Sequence, residues 1–220
     1  MKRITTLTGP SCSGKSTLEA MMAERGCLKA ISTTTRSPRA GEVNGKDYYF
    51  VSQDEFAAMR DAGAFVEYVQ FGEHWYGMST DELLRLFAIG DHVVIVCEPI
   101  GAKQIYQYFK HNASFKLVQV FIDNAKSVIN QRFLKRFGDD LVKALVKGDF
   151  SHQKVIEDGA KRMAIMTTTE QKWISDAYMP EGDFRYSLVV SSFTEDNCDS
   201  VANALTKTKM GFRNTVGLLL

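Results

Sequence analysis

The sequence predicts an α/β fold in which helices flank a parallel core sheet. Short apolar runs alternate with helical patterns along the 220 residues, as in proteins whose strands are joined by crossing helices. Five apolar runs are typical of core strands: 4–8, 28–32, 92–97, 117–122 and 187–191. Helical patterns follow them near 16–25, 101–110, 125–137, 161–178 and 195–209.

A glycine-rich loop follows the first strand. Residues 9–17 read Gly-Pro-Ser-Cys-Ser-Gly-Lys-Ser-Thr and lie between a strand and a helix. In such a loop, backbone N–H groups point at phosphate oxygens, the lysine reaches the β and γ phosphates, and a hydroxyl group meets Mg2+. We therefore expect a nucleoside triphosphate to bind seven residues: Gly9, Ser11, Ser13, Gly14, Lys15, Ser16 and Thr17. The loop does not identify the phosphate acceptor.

The segment between the second and third core strands has a different pattern. Residues 47–51 and 65–71 are typical of strands in a small separate sheet. Two serine–glutamate pairs with capping-box spacing, Ser52 with Glu55 and Ser79 with Glu82, predict helix starts. We interpret this segment as an inserted region that binds the acceptor.

Composition narrows the class of protein. The 27 basic and 26 acidic residues nearly cancel, so the chain has no general attraction for polyanions and nucleic acid is not an expected partner. The four cysteines form no CxxC pair, which favours reduced thiols over a disulfide framework. No apolar run approaches the ~20 residues of a membrane span, and the polar N-terminus does not resemble a signal peptide, so we expect a cytoplasmic location.

A second candidate phosphate site lies in residues 32–50. Arg36 and Arg39 are three residues apart around Pro38, and Tyr48 follows them. Guanidinium groups match phosphate oxygens in pairs, and a tyrosine hydroxyl adds a neutral donor. The alternative is a solvated basic loop with a turn at 43–45.

This block, together with Glu67 and the segment Trp-Tyr-Gly-Met-Ser at 75–79, closely resembles guanylate kinase. The resemblance runs from Arg3 to about Arg136, and continues more weakly to the strand at Ser187. It implies one domain with the fold of a P-loop kinase: a parallel core, an inserted mixed-sheet GMP-binding region and a helical lid. We place the core at 1–32, 90–131 and 162–220, the GMP-binding region at 33–89 and the lid at 132–161.

The resemblance also implies roles for individual residues. The phosphate of GMP would be held by Arg36, Arg39, Tyr48 and Tyr76, and the guanine would be read by Ser32 and Glu67. One carboxylate can accept both the N1–H and N2–H groups of guanine, whereas adenine presents an acceptor at N1. The alternative for Glu67 is an outward position on an alternating strand. Where the family has a hydroxyl residue this chain has Met78, and the contact would shift to Ser79.

Three arginines resemble those of the family's lid. Arg132 and Arg136 are four residues apart and would share one helix face, and Arg162 would re-enter the core. In such lids the guanidinium groups lie over the transferring phosphoryl group, so with Lys15 we expect these residues to be catalytic. Each arginine can instead be a solvated helix residue. The stretch 138–159 is longer than the usual lid.

The chain departs from the family at the end of the third core strand. Where the family has Asp-x-Asp, this chain has Val96 and Glu98, and we expect Glu98 to join Ser16 in binding Mg2+. The strand at 187–191 lacks the family's asparagine near adenine, so ATP selectivity would be relaxed. The predicted activity is Mg2+-dependent transfer of the ATP γ-phosphoryl group to GMP or dGMP. The alternatives are a kinase of another phosphorylated small molecule and a non-catalytic binding module.

Overall fold

A computed structural model gives the fold, and it describes residues 1–39, 41–148, 151–178, 183–207 and the backbone of 217–219. The strands within these ranges are β1 (Lys2–Thr8), β2 (Leu28–Lys29), β3 (Thr33–Thr34), β4 (Tyr49–Phe50), β5 (Phe65–Phe71), β6 (His74–Ser79), β7 (His92–Val96), β8 (Phe115–Asp123), β9 (Leu188–Ser191) and β10 (Gly217–Leu219). The helices are α1 (Lys15–Glu24), α2 (Gln53–Asp61), α3 (Thr80–Phe87), α4 (Pro99–Phe109), α5 (Lys126–Val146), α6 (Ser151–Thr167), α7 (Thr169–Tyr178) and α8 (Cys198–Thr206).

The core sheet has the order β10-β9-β8-β1-β7-β2, and its neighbouring strands are paired in parallel. Successive residues of a strand face opposite sides, so Val94 packs with α1 and α8 while Val93 packs with α4. Both faces are covered, which explains why β7 and β9 are apolar without alternation. The predicted parallel sheet flanked by helices is confirmed.

A second, mixed sheet has the order β4-β3-β6-β5. Strands β5 and β6 form an antiparallel pair, β6 is antiparallel to β3, and β3 is parallel to β4. Helix α2 begins with the predicted reciprocal capping box of Ser52 and Glu55. Helix α3 has only half of one: Ser79 accepts from the Glu82 N–H group, but the Glu82 carboxylate binds Ile31 N, Tyr49 Oη and Arg85 instead.

Several predicted boundaries were wrong. The second core strand stops at Lys29 because the chain crosses to the mixed sheet, where Thr33 pairs with Gly77. The helix predicted at 125–137 continues to Val146. The helix predicted at 161–178 is two helices, separated at Thr168. The last helix, predicted to end at Lys209, ends at Thr206, because the following Lys207 has an extended backbone. None of the helices in the described ranges is long and apolar enough to cross a membrane.

Candidate active site

The glycine-rich loop between β1 and α1 has a shape that two glycines make possible. Gly9 has φ of 138° and Gly14 has φ of 107°, in the left-handed region that favours glycine. A Cβ atom would lie 2.3 Å from the Ile122 carbonyl oxygen at Gly9, and 2.6 Å from the Phe193 ring at Gly14. Cys12 also has a positive φ, 61°, although it is not glycine. The loop is therefore held in a backbone conformation that most sequences avoid.

Lys15 folds back over this loop. Its ammonium group donates to the carbonyl oxygens of Gly9 and Pro10, both at 2.7 Å. Desolvation in the cavity lowers the pKa of Lys15 to about 8, and the Glu170 carboxylate opposes that change. An anion beside the ammonium group would raise this pKa again. Lys15 is thus a partly desolvated cation placed to bind a phosphate.

One cavity of about 810 Å³ joins the loop to the inserted region and to helices α5 and α6. The predicted residues that line it are Gly9, Ser11, Gly14, Lys15, Ser16, Thr17, Ser32, Arg39, Tyr48, Glu67, Tyr76, Glu98, Arg132, Arg136 and Arg162. Among the described residues, three predicted ones lie outside this lining: Ser13, Arg36 and Ser79. The fold therefore brings together side chains from all three predicted regions.

The acceptor side of the cavity is organised around Arg36. Its guanidinium group donates to both carboxylate oxygens of Glu42 at 2.9 Å, and it lies 5.3 Å from the centre of the Tyr48 ring. The Tyr48 and Tyr76 rings meet edge to face, 6.1 Å apart. Arg36 is thus held by Glu42 behind the cavity wall, while Glu42, Tyr48 and Tyr76 line the wall itself.

Positive charges converge on the cavity. Partial desolvation lowers the pKa of the Arg39 guanidinium group, and three neighbouring guanidinium groups lower it further. These groups belong to Arg36, Arg162 and Arg136. The inserted region and helices α5 and α6 therefore direct like charges at one another. Such an arrangement favours a bound polyanion, because phosphate oxygens relieve the repulsion.

Glu67, on β5, is an acidic residue that lines the same cavity. It is 3% exposed, and burial raises the pKa of its carboxyl group to about 8. Among the described residues its Oε2 atom has no hydrogen-bond partner, and a Cβ atom on Gly101 would lie only 2.5 Å from it. A buried polar atom without a partner in a cavity wall indicates a place for a ligand donor.

Ser16 and Glu98 offer oxygen ligands in the same cavity. Ser16 is the second residue of α1, and Glu98 precedes α4 at the end of β7. Desolvation, followed by the negative charge of Glu67, raises the pKa of Glu98 to about 8, and Lys15 opposes that change. A divalent cation would favour the ionised carboxylate. No group of three or more His, Cys, Asp or Glu side chains in the described ranges can hold a metal. The donor set fits Mg2+, which binds through few protein oxygens together with phosphates and water.

Comparison with known proteins agrees with this geometry. Residues 1–158 match the family described as Guanylate kinase. The chain belongs to the guanylate kinase family. A guanylate kinase of Mycoplasmopsis pulmonis is 33% identical over 150 residues, which are 66% of this chain and 76% of that protein. One from Thermosynechococcus vestitus is 43% identical over 105 residues, 47% of this chain and 55% of that protein.

A solved structure extends the likeness of the fold. The crystal structure of guanylate kinase from Anaplasma phagocytophilum aligns with this chain at a TM-score of 0.62 and 21% sequence identity. The alignment covers 96% of this chain and 89% of that protein's chain. The predicted family and fold class are confirmed. A guanylate kinase is a nucleoside monophosphate kinase, and that is the predicted enzyme class.

Three predicted site residues, Ser79, Ser13 and Arg132, have contacts or positions in the structure that bear on their predicted roles. The Ser79 hydroxyl caps α3 by accepting from the Glu82 N–H group at 3.2 Å, so its proposed contact with GMP stays a prediction. The Ser13 hydroxyl is buried and has no partner among the described residues. Arg132 donates to the carbonyl oxygens of Cys12, Ser13 and Phe193, at 3.4, 3.3 and 3.0 Å. Arg132 thus supports the loop in this arrangement.

Sequence reasoning missed three residues that shape the site. Asn124 donates to the Ser13 carbonyl oxygen at 2.7 Å, Glu42 holds Arg36, and Glu170 binds Ser11 through both carboxylate oxygens. Glu42 lies within residues 32–50, the second candidate phosphate site, so a carboxylate near two arginines was a usable signal. Asn124 and Glu170 are more than a hundred residues away from their partners, and no spacing rule connects them.

Proposed function

We propose that this protein transfers the γ-phosphoryl group of ATP to the phosphate of GMP or dGMP, giving ADP and GDP or dGDP. The observation that carries the proposal is the single cavity that joins the glycine-rich loop, the Arg36 and Arg39 block, the lid arginines and Glu67. A donor triphosphate and an acceptor monophosphate need adjacent cationic sites, and the acceptor base needs a separate polar pocket.

The proposed donor site is the loop from Gly9 to Thr17. Its amides and Lys15 would bind the β and γ phosphates, with Gly9, Ser11, Ser13, Gly14, Ser16 and Thr17 completing the site. The Lys15 ammonium group donates to backbone carbonyl oxygens of its own loop, at Gly9 and Pro10. Phosphate oxygens can replace these two acceptors when a triphosphate binds. This exchange needs only a side-chain movement.

The proposed acceptor site uses Arg39, Tyr48 and Tyr76 for the phosphate of GMP, with Arg36 behind them. Glu42 fixes the Arg36 fork and also accepts from the Arg39 backbone N–H group at 2.7 Å, so the Arg36 guanidinium group and the Arg39 backbone are ordered before a ligand arrives. A preordered site loses less entropy on binding. We assign Ser79 to this site as an additional member.

Guanine selection is assigned to Glu67 and Ser32. The unpartnered Oε2 atom of Glu67 is a free acceptor in the wall, as the donor edge of guanine requires. Adenine would place its N1 acceptor against the carboxylate and leave buried polar groups unpaired. Such a mismatch gives strong discrimination.

Transfer itself would depend on position and charge. The GMP phosphate is already a nucleophile, so no strong general base is needed. Lys15, Arg132, Arg136 and Arg162 would face the charge that spreads over the transferring group. The positive charges of Arg136 and Arg162 lower the pKa of Arg39, which supports placing these two side chains near the acceptor site.

The assignment of Mg2+ rests on Ser16 and Glu98. When bound, Mg2+ would neutralise phosphate charge during transfer. Ser16 would hold the ion directly and Glu98 would hold it or one of its waters. We further propose the division into core, GMP-binding region and lid at the predicted boundaries, and a cytoplasmic location.

A coupled assay of ADP release with a panel of monophosphates tests the proposal. We expect release with GMP and dGMP, and little release with AMP, CMP or UMP. The Lys15→Ala variant is the matched control for contaminating kinases. Release that prefers another phosphorylated molecule, or binding of GMP with no release, would contradict the proposal.

A further inference from the structure

Glu170 is a buried carboxylate that the proposed chemistry does not use. It is the second residue of α7 and is 1% exposed. Its Oε2 atom accepts from the Ser11 N–H group at 2.9 Å, and its Oε1 atom accepts from the Ser11 hydroxyl at 2.6 Å. A buried carboxylate is costly unless hydrogen bonds and opposite charge compensate it. Here the compensation comes from the donor loop itself.

The position of Glu170 connects that loop to the lid. Helix α6 carries Arg162 and ends at Thr167, and α7 begins at Thr169. The hydroxyl groups of Thr167 and Thr168 donate back to the Ala164 carbonyl oxygen, at 3.0 and 2.8 Å. Side-chain bonds of this kind compete with the helical bonds and are typical of a helix end. The break between the two helices therefore lies two residues before Glu170.

Helices α5 and α6 also contact Cys12, the residue of the loop that follows Ser11. The Cys12 side chain packs against the cluster of Ile129, Phe133 and Met166, which come from α5 and α6. Cys12 has the unfavourable φ of 61°, so its conformation needs such support. The donor loop is thus held by hydrogen bonds at Ser11 and by apolar packing at Cys12.

Glu170 additionally faces Lys15. Its negative charge favours the ammonium form of Lys15. Its two acceptor atoms are occupied by Ser11, and both Glu170 and Lys15 line the same cavity. The carboxylate is therefore fixed at the loop's third position and does not cover Ser16 and Thr17, which are exposed.

We propose that Glu170 is a positioning residue for the donor site, which anchors the core end of the lid to the loop through Ser11. When the lid closes over ATP, the donor loop would then keep its shape, and Lys15 would stay in its ammonium form. This inference rests on the proposed use of ATP, but it concerns donor binding alone. It requires no contact between Glu170 and the nucleotide.

The test compares Glu170→Gln with Glu157→Gln, the same change at an exposed position of α6. Glutamine can still accept from the Ser11 N–H group and donate to the Ser11 hydroxyl oxygen, but it removes the negative charge that strengthens both bonds and favours the Lys15 ammonium group. We expect affinity for a non-hydrolysable ATP analogue to fall roughly 10- to 100-fold in Glu170→Gln, with GMP affinity within twofold of the parent. The Glu157→Gln protein should bind both as the parent does.

A second variant keeps the proposal testable if Glu170→Gln folds poorly. Ser11→Ala retains the N–H bond to Glu170, so we expect a smaller loss of analogue affinity. The double variant should lose no more than Glu170→Gln alone, because the two changes break one interaction. Unchanged or tighter analogue binding in Glu170→Gln would overturn the proposal, and so would equal losses for the analogue and GMP. Failure of the proposed function is seen separately, as absence of GDP formation by the parent.

Discussion

Replacing Glu67 by glutamine tests both consequences of burying a carboxyl group in the base pocket. Burial raises the pKa of Glu67 to about 8 from the ordinary value of 4.5. Near pH 7 the folded protein therefore keeps a proton that the unfolded chain releases. Stability falls with rising pH wherever the folded state holds the additional proton. The cost is absent below pH 4.5, grows up to about pH 8 and is constant above that value.

The magnitude follows from this interval. Each pH unit above the unfolded-state pKa costs about 1.36 kcal/mol, so the cost near pH 7 is about 3 kcal/mol. Glutamine is neutral at every pH and can keep the acceptor for the Met78 N–H group that Glu67 uses. We expect Glu67→Gln to raise the free energy of unfolding by about 3 kcal/mol near pH 7 and by almost nothing near pH 4.

The same substitution should weaken GMP binding. An amide accepts only one of the two guanine donors and directs its own N–H group at the other. Above about pH 8, where Glu67 is ionised, loss of a charged hydrogen bond costs about 1.5–3 kcal/mol, or roughly one to two decades in affinity for GMP, with a much smaller change for AMP.

Urea unfolding near pH 4 and near pH 7, without nucleotide, measures the stability effect, and titration with GMP and AMP measures the binding effect. Glu24→Gln, an exposed change on α1, is the control. A pH-independent stability difference, or equal weakening of GMP and AMP, would refute the reasoning.

Three further predictions concern the donor side. Lys15→Ala should abolish phosphoryl transfer and leave GMP affinity within a few-fold of the parent, because the two sites come from separate segments; calorimetry with GMP and an ADP-release assay on one preparation check this. Glu98→Ala should lower turnover and raise the Mg2+ concentration for half-maximal rate without changing metal-free GMP affinity, and a parental Mg2+ titration would count against the metal role. Cys12→Val should destabilise the protein by about 1–3 kcal/mol, because a β-branched residue resists the φ of 61° there; urea unfolding equal to the parent would show that the loop adapts.

Local patterns predicted the parts of the fold that local physics determines. Strand β5 was predicted with the observed bounds, because it is rich in aromatic and β-branched residues and is flanked by Gly63 and Gly72. The start of α2 was predicted because Ser52 and Glu55 satisfy each other's backbone groups within four residues. Strand β6 was missed, since its stability comes from pairing with β5 and β3 and its own sequence has little strand character.

The candidate site was predictable where its residues are contiguous. The loop from Gly9 to Thr17 carries its own chemistry, and the arginine block with Tyr48 is similarly local. The bond from Glu170 to Ser11 joins residues 159 positions apart, and nothing in either segment indicates the other. The helix break at Thr168, which sets the position of Glu170, was also not visible in the helical pattern.

The measurement that tests the central claim most directly follows the γ-phosphoryl group itself. ATP labelled in its γ phosphate is incubated with the protein, GMP and Mg2+, and the nucleotides are separated. We predict that the label appears in GDP, in step with ADP formation, and that Lys15→Ala abolishes both. Label released only as inorganic phosphate, with GMP unchanged, would contradict the account, because the cavity would then bind both nucleotides without joining their reaction.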